Sequence, residues 1–327
     1  MELSKEALVE HASAQWPRML QSLGKDPSTF QAVVLKSRLA GETSRILFLL
    51  KSVVGECFVF KAHFPISDLK FFQNQIASQR QAFEQMATEP GHKVPEILFV
   101  DETNRSLLME YVVGPTVHHA LKLELDHRHA VLEKAGAWIG AFHRTTYVRY
   151  NPVNPDVMLQ SFAQITYRVE QRDIIIARRS EYLEYAAQVP AMAEAIRGQS
   201  TRISAVHGDL HLQNVVFGRN AVYGIDFKKV HQAPTAHDLS YFLVSFGMHF
   251  CTGNSDNAGS LFDPGDMDAF YRGYGEEHRD DPALCYLVPM RVLAEWRAVP
   301  KDKRKRSESE RDKFHRLQRM ARIVFES

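Results

Sequence analysis

His207-Gly208-Asp209-Leu210-His211-Leu212-Gln213-Asn214, followed by Ile225-Asp226-Phe227, is the stretch on which the reading of this chain turns. It supplies a carboxylate, an amide and a second carboxylate in the order and spacing that phosphoryl transfer from a nucleotide–metal complex uses. Between Asn214 and Asp226, the blocks Val215-Val216-Phe217 and Ala221-Val222-Tyr223-Gly224-Ile225 flank the turn Gly218-Arg219-Asn220 and read as a hairpin. A hairpin folds its ends back beside each other, so Asn214 and Asp226 are expected to face one metal ion. Mg²⁺ is a hard cation that takes one or two protein oxygens and leaves the rest to phosphates and water. Asp209, earlier on the loop, is placed to accept a hydrogen bond from an attacking hydroxyl. Each of these residues alone could cap a turn or end a strand; the three together, around a hairpin, favour the chemical reading.

The bulk properties are those of a globular chain. Its 327 residues allow two ordinary domains or one larger two-lobed unit, with 45% hydrophobic and 24% charged residues. A formal net charge of +1 provides no global field for nucleic acid or a membrane surface. The three cysteines, Cys57, Cys251 and Cys285, lack metal-ligand spacing and read as reduced, packed thiols. Met1-Glu2-Leu3-Ser4-Lys5-Glu6 is too charged for a signal peptide, and the greasiest run, Ile46 to Phe60, is broken by Lys51 and Glu56. A cytoplasmic protein without a membrane span is expected.

Ahead of the opening motif the pattern is β-rich. Residues 4–23 read as helical, with Leu8, Ala12, Trp16 and Met19 or Leu20 on one face and a kink or restart at Pro17. Three strands follow between about 31 and 64. The turn joining the first two, Leu39 to Arg45, holds Gly41 and Ser44 and can donate backbone N–H groups to nucleotide phosphates, although a plain turn is the favoured reading of that signal alone. Lys61 ends the third strand. A lone lysine there is ordinarily solvated, but downstream of such a turn and upstream of the metal loop it becomes a candidate for the α- and β-phosphates. A helix from Pro65 to about Ala87 presents Phe72, Ile76, Phe83 and Met86 inward, with Gln79 on that face and Glu84 away from its centre. Two more strands, 94–100 and 106–112, complete a first lobe over residues 1–113.

Residues 114–327 read mainly as helix: 128–146 with Val131, Ala135, Trp138, Ile139 and Phe142 inward, two helices over 155–196, and a helix opening at Asp238 in cap position. Asp238 reads as structural, bonding backbone near the catalytic loop. Arg168, Arg172, Arg178 and Arg179 read as a solvated face, and so does the charge-dense segment from Lys301 to residue 319.

These motifs, with Ile139-Gly140-Ala141-Phe142-His143, Val94-Pro95, Met109-Glu110-Tyr111 and Asp238-Leu239, carry a likeness across about residues 31–245. The chain resembles the aminoglycoside phosphotransferase and choline kinase superfamily of kinase-like enzymes. The resemblance implies an α+β, two-lobed protein-kinase-like fold: a small antiparallel β lobe with a helix, and a larger helical lobe. It implies ATP as donor, its adenine on backbone near Glu110, Tyr111 and Val112, its phosphates at Lys61 and the Gly41–Ser44 turn. Asp209 would be the catalytic base or the group that orients the hydroxyl, Asn214 and Asp226 the Mg²⁺ ligands, and His207 a brace. The acceptor would be a small-molecule hydroxyl of aminoglycoside, choline or ethanolamine, sugar or amino-alcohol type, held in the helical lobe. Two sets after residue 245 could meet it: acidic Asp256, Asp263, Asp266, Asp268, Glu276 and Glu277, and aromatics including Phe250, Phe262, Phe270, Tyr271, Tyr274 and Trp296.

The sequence departs from the family pattern where a helix glutamate usually pairs with the strand lysine: the inward residue is Gln79, with Glu84 nearest. A Lys61–Gln79 bond would be weaker than one between two charges. That departure supports an alternative, a catalytically weak nucleotide-binding regulator. Intact Asp209, Asn214 and Asp226 argue against it. An enzyme acting on proteins is disfavoured, because no Ala-Pro-Glu segment follows Asp226 to anchor an activation loop.

Overall fold

The computed structural model describes residues 4–38, 44–64, 69–228, 231–250 and 261–326. In chain order these form helices α1 (Lys5–Ser13) and α2 (Trp16–Ser22), strands β1 (Phe30–Arg38), β2 (Ser44–Ser52) and β3 (Cys57–Phe64), helix α3 (Leu69–Gln85), and strands β4 (His92–Lys93), β5 (Ile97–Asp101) and β6 (Ser106–Glu110). Then come α4 (Val117–Lys122), α5 (Arg128–Thr145), β7 (Tyr147–Pro152), α6 (Asp156–Glu170), α7 (Arg179–Ala186), α8 (Val189–Ala195), β8 (Ser200–Val206), β9 (Val215–Phe217), β10 (Val222–Gly224) and β11 (His231–Pro234). Helices α9 (Ala236–Phe250), α10 (Pro264–Tyr274), α11 (Leu284–Ala298) and α12 (Glu308–Glu326) close the chain. The fold is α+β, and its residues group into two compact units, Met1–Gly114 with Val216–Val230, and Pro115–Val215 with His231–Ser327.

The first unit is built on an antiparallel sheet of order β1-β2-β3-β6-β5. Side chains alternate along a strand, so Phe60, Ala62 and Phe64 of β3 fall on one face and Lys61 and His63 on the other. The first face packs with Ile46, Phe48, Leu50 and Leu108 against Leu8, Ala12, Met19 and Leu20 of the two N-terminal helices. Burying each large apolar side chain of this kind contributes about 1.5–3 kcal/mol. Pro17 lies in the first turn of α2, where its missing N–H costs nothing. The opposite face meets α3 through Phe72, Ile76 and Leu107. Alternation therefore delivers Lys61 to the α3 side, nearly buried at 7% exposure. The 216–230 segment joins this unit for two reasons. Strand β10 pairs in parallel with β4. Gly114 lies so close to Phe217 that a Cβ there would stand 1.9 Å from its carbonyl oxygen.

In the second unit α5 buries Val131, Ala135, Trp138, Ile139 and Phe142, as their spacing predicts. It crosses α10 at close range: Gly136, Gly140 and Gly273 stand where any Cβ would meet backbone of the facing helix within 2.5 Å. Four expectations change here. Residues 155–196 form three helices, because the chain turns at Arg172 and Arg178, both with positive φ, and restarts at Val189-Pro190. Arg179 is no solvated cation: its guanidinium donates to the carbonyls of Val169 and Glu170 at the end of α6. Helix α12 is amphipathic rather than solvated all round, burying Phe314, Leu317, Met320, Ala321 and Phe325 against a core that includes Val292 and Trp296. A small antiparallel sheet, β11-β8-β7, also stands where the sequence reads as mostly helix.

Candidate active site

The loop after β8 is held by one buried carboxylate. Asp238, fully buried, accepts from the backbone N–H of His207 at 2.6 Å and of Gly208 at 3.0 Å. Its third partner is the Nε2 of His143, at 3.1 Å; the other ring nitrogen of His143 meets the Tyr274 hydroxyl at 3.0 Å. Burial acts to raise the pKa of Asp238, but the bonds from His143 and from the His207 backbone outweigh it and hold the carboxyl below its usual range. Asp238 thus lies inside the first turn of α9 and spends its oxygens on the loop instead of capping its own helix. Gly208 takes φ +79°, a left-handed conformation that glycine adopts without strain.

Beyond Gly208 the loop fastens onto itself. The Asp209 N–H donates to His207 Nδ1 at 3.3 Å, and His207 is fully buried, so it braces the loop. Asn214 donates its Nδ2 to the Asp209 carbonyl at 2.8 Å, which turns its Oδ1 the opposite way. The structure therefore brings Asp209 and Asn214 together in one unit, with the Asp209 side chain half-buried.

In the first unit Lys61 Nζ stands 2.5 Å from Asp226 Oδ1. Asp226 has φ +65°, a backbone state that non-glycine residues seldom adopt and that concentrates at functional sites. The residue beside this pair is Gln75, whose Nε2 lies 3.3 Å from the same Asp226 oxygen. Gln79 is buried but donates to the Pro95 carbonyl at 2.8 Å. Gln75, not Gln79, is the α3 residue that reaches the Lys61–Asp226 pair, through Asp226, for a helical reason: Gln75 lies one turn before Gln79 on the same inward stripe. Phe72 and Ile76, which bracket it, carried the signal. Burial and the neighbouring Lys61 and Arg45 lower the pKa of His63, two residues along β3, to about 3. It is therefore neutral near pH 7 and adds no charge beside Lys61. Glu110 closes β6, its N–H committed to the Glu96 carbonyl at 3.0 Å, and Tyr111 and Val112 follow. Ser44 begins β2, whereas Gly41 lies outside the described residues.

The second unit also encloses a pocket of about 170 Å³ beside the loop. His211 and Gln213, which lie between Asp209 and Asn214 in the chain, form one wall. Tyr241, Ser245, Met248 and His249, one face of α9, form another, and His118, Arg291, Glu295 and Lys313 complete it. The His118 N–H donates to the Leu212 carbonyl at 3.0 Å, tying α4 to the loop. Burial raises the Glu295 pKa, but Arg291 and Lys313 overcome this and hold it below the ordinary carboxylate range.

Several of the acceptor residues that the sequence pointed to are committed elsewhere in the fold. Asp266 is buried in a two-bond pair with Arg128, Asp263 caps α10, and Asp268 and Glu276 both pair with Arg279. Trp296 is fully buried and donates to the Ala177 carbonyl at 2.8 Å, and Phe270 is fully buried, so neither lines a binding surface. Asp256 lies outside the described residues. The pocket residues escaped because they are spread over four helices; only the polar stripe Tyr241–Ser245–His249 on an otherwise buried helix gave a hint.

Among the described residues the one cluster with metal-ligand spacing is His129, Asp263 and Asp266, away from the loop in sequence. No helix among the described residues is long and apolar enough to cross a membrane.

Among curated proteins none matches the chain. Several solved structures share its fold. An amicoumacin kinase, hAmiN, in complex with AMP-PNP, Ca²⁺ and amicoumacin is 15% identical, with 99% of this chain and 97% of that chain covered and a TM-score of 0.59. A thermostable mutant of the aminoglycoside phosphotransferase APH(4)-Ia, in ternary complex with AMP-PNP and hygromycin B, is 14% identical, with 95% and 98% covered and a TM-score of 0.60. A choline/ethanolamine kinase family protein from Mesorhizobium loti is 13% identical, with 91% and 93% covered and a TM-score of 0.55. The model of the phosphotransferase enzyme family matches residues 60–285, a span that contains Lys61, Asp209, Asn214, Asp226 and Asp238. The chain belongs to the phosphotransferase enzyme family.

Proposed function

We propose that this enzyme moves the γ-phosphoryl group of ATP to a hydroxyl of a small molecule with Asp209 as base. The observation that carries this reading is the Asp209–Asn214 loop, locked by the 2.8 Å bond between them and by the Asp238 carboxylate beneath it. In the reaction the acceptor oxygen forms a bond to the γ-phosphorus as the bond from that phosphorus to the β–γ bridging oxygen breaks. ADP leaves, and the hydroxyl proton passes to the Asp209 carboxylate. A divalent ion suits the donor set: the Asn214 amide oxygen and the Asp226 carboxylate are hard oxygen ligands of the kind Mg²⁺ takes. When bound, the ion would neutralise charge on the phosphates.

Lys61 keeps Asp226 oriented and also serves the phosphates. An ammonium carries three donors, so one can hold Asp226 while others reach the α- and β-phosphate oxygens. Gln75 steadies the same Asp226 oxygen as a neutral partner. Backbone of the Gly41–Ser44 turn would cover the phosphates. The adenine would exchange hydrogen bonds with the backbone of Glu110 to Val112; since the Glu110 N–H is already used, the carbonyl of Glu110 would accept from the adenine and the backbone of Tyr111 and Val112 would supply the rest.

The test is ³¹P NMR of ATP incubated with the purified protein, Mg²⁺ and a set of hydroxyl compounds of differing charge. A phosphomonoester signal that needs both Mg²⁺ and Asp209 is expected. Equal transfer by the Asp209→Ala protein, or transfer that persists in excess chelator, would overturn the mechanism.

A further inference from the structure

The pocket beside the loop carries a charge that its occupant must match. Arg291 and Glu295 sit one turn apart on α11 and form an ion pair, which by itself would be balanced. Lys313, from α12, adds a second cation to the same carboxylate at 2.8 Å. Two cations therefore share one anion. Burial and neighbouring groups lower the pKa of both His118 and His249, that of His249 to about 4, so neither adds charge near pH 7. The wall is left with a surplus positive charge. It is also held in place: the Arg291 guanidinium lies 3.4 Å from the centre of the Tyr241 ring, and Arg291, Lys313 and Glu295 are only 20%, 25% and 14% exposed. A guanidinium has five donors and an ammonium three, so serving Glu295 does not exhaust either.

We propose that this pocket takes an acceptor bearing an anionic group, a carboxylate or a phosphate, alongside the hydroxyl that is phosphorylated, with Arg291 and Lys313 holding the anion. The placement rests on the phosphotransferase reading above: His211 and Gln213 line the pocket and belong to the same loop as Asp209, so the pocket adjoins the segment that carries the proposed base. A cationic acceptor is disfavoured by the same geometry. Among the described lining residues Glu295 is the one carboxylate, and it is already bridged by two cations. A guanidinium pairs with a planar carboxylate or a phosphate through parallel N–H bonds, and Ser245 and the Gln213 amide can serve the polar remainder.

The experiment compares four molecules on one three-carbon diol scaffold: glycerate, glycerol 3-phosphate, glycerol and 3-amino-1,2-propanediol. Each is titrated calorimetrically into the full-length protein saturated with Mg²⁺ and AMP-PNP, so that the nucleotide site is filled. The anions should bind about tenfold or more tightly than glycerol, and the aminodiol most weakly. Whichever anion binds more tightly identifies the carboxylate or the phosphate as the natural group. Lys313→Gln and Arg291→Gln should each weaken anion binding about tenfold, whereas Glu295→Gln, which releases both cations, should strengthen it. A purely structural ion cluster would not give that opposite sign. The proposal is overturned if the aminodiol binds as tightly as the anions, if none of the four binds, or if Lys313→Gln retains full anion affinity. AMP-PNP binding is read separately on the same protein. Failure there defeats the phosphotransferase reading, and normal nucleotide binding without anion preference defeats only the charge proposal.

Discussion

The proposed catalytic loop and the pocket beside it are built in opposite ways. The loop draws its groups from consecutive residues, 207 to 214, and borrows one carboxylate, Asp238, from the next helix. The pocket draws Arg291, Lys313, Tyr241 and His118 from four different helices. Chemistry that requires fixed distances between a base and its neighbours is best held by a short, self-bonded segment. Recognition of an acceptor needs a surface, and helices supply one whose residues can change independently. The comparison predicts that loop substitutions remove catalysis outright, while pocket substitutions redirect it.

The largest effect is expected at Asp209. Asp209→Ala should lower kcat by about 10²–10⁴-fold, the usual worth of a positioned proton acceptor, with no change in melting temperature. A comparable loss of stability would show that the residue is part of the scaffold instead.

Asp238→Ala should cost about 3–5 kcal/mol in urea unfolding, the usual effect of removing one partner from a buried charged network, because two backbone N–H groups and His143 lose their acceptor. Linkage gives this contribution a pH signature. The Asp238 pKa is depressed in the fold, so its stabilisation is present above the unfolded carboxylate value of about 3.9 and is lost as pH falls below that value through the folded one. Acid unfolding of the wild type should lose this contribution below about pH 4, whereas the Asp238→Asn protein should lack it at every pH.

Gly273→Ala should destabilise by about 1–3 kcal/mol, since the added Cβ would stand 2.0 Å from the Glu133 carbonyl oxygen across the α5–α10 crossing. Activity per folded molecule at low temperature should change little. A larger loss of activity than of stability would mean that the α5–α10 packing also sets His143, and through it the loop.

The smallest effect separates two glutamines on α3. Gln75→Ala removes a bond to the charged Asp226 and should raise the KM for ATP about threefold to tenfold. Gln79→Ala should leave that KM unchanged and cost about 1 kcal/mol of stability through the lost bond to Pro95. The reverse pattern would return Gln79 to the position expected from sequence.

This division also explains what could be read from the chain. The strands 30–38, 44–52 and 57–64, the inward face of α5 and the hairpin after Asn214 follow from local periodicity, and the structure contains each. The role of Asp238 was legible because a carboxylate stands just after the metal motif. Gln75 was missed because an inward stripe on a helix is two residues wide, and spacing alone does not say which edge meets Asp226. Strands β7, β8 and β11 were missed because they are stabilised by partners far away in sequence. The pocket was missed for the same physical reason: nothing in the sequence near Lys313 marks its approach to Glu295.

The central claim, that Asn214 and Asp226 serve one metal ion under the nucleotide phosphates, is tested most directly by Mn²⁺ binding followed by electron paramagnetic resonance in the presence of AMP-PNP. The account predicts one tightly bound ion in the parent protein and at least about a tenfold weakening in both Asp226→Ala and Asn214→Ala, in keeping with the loss of a metal ligand. Undiminished Mn²⁺ affinity in Asn214→Ala would contradict it.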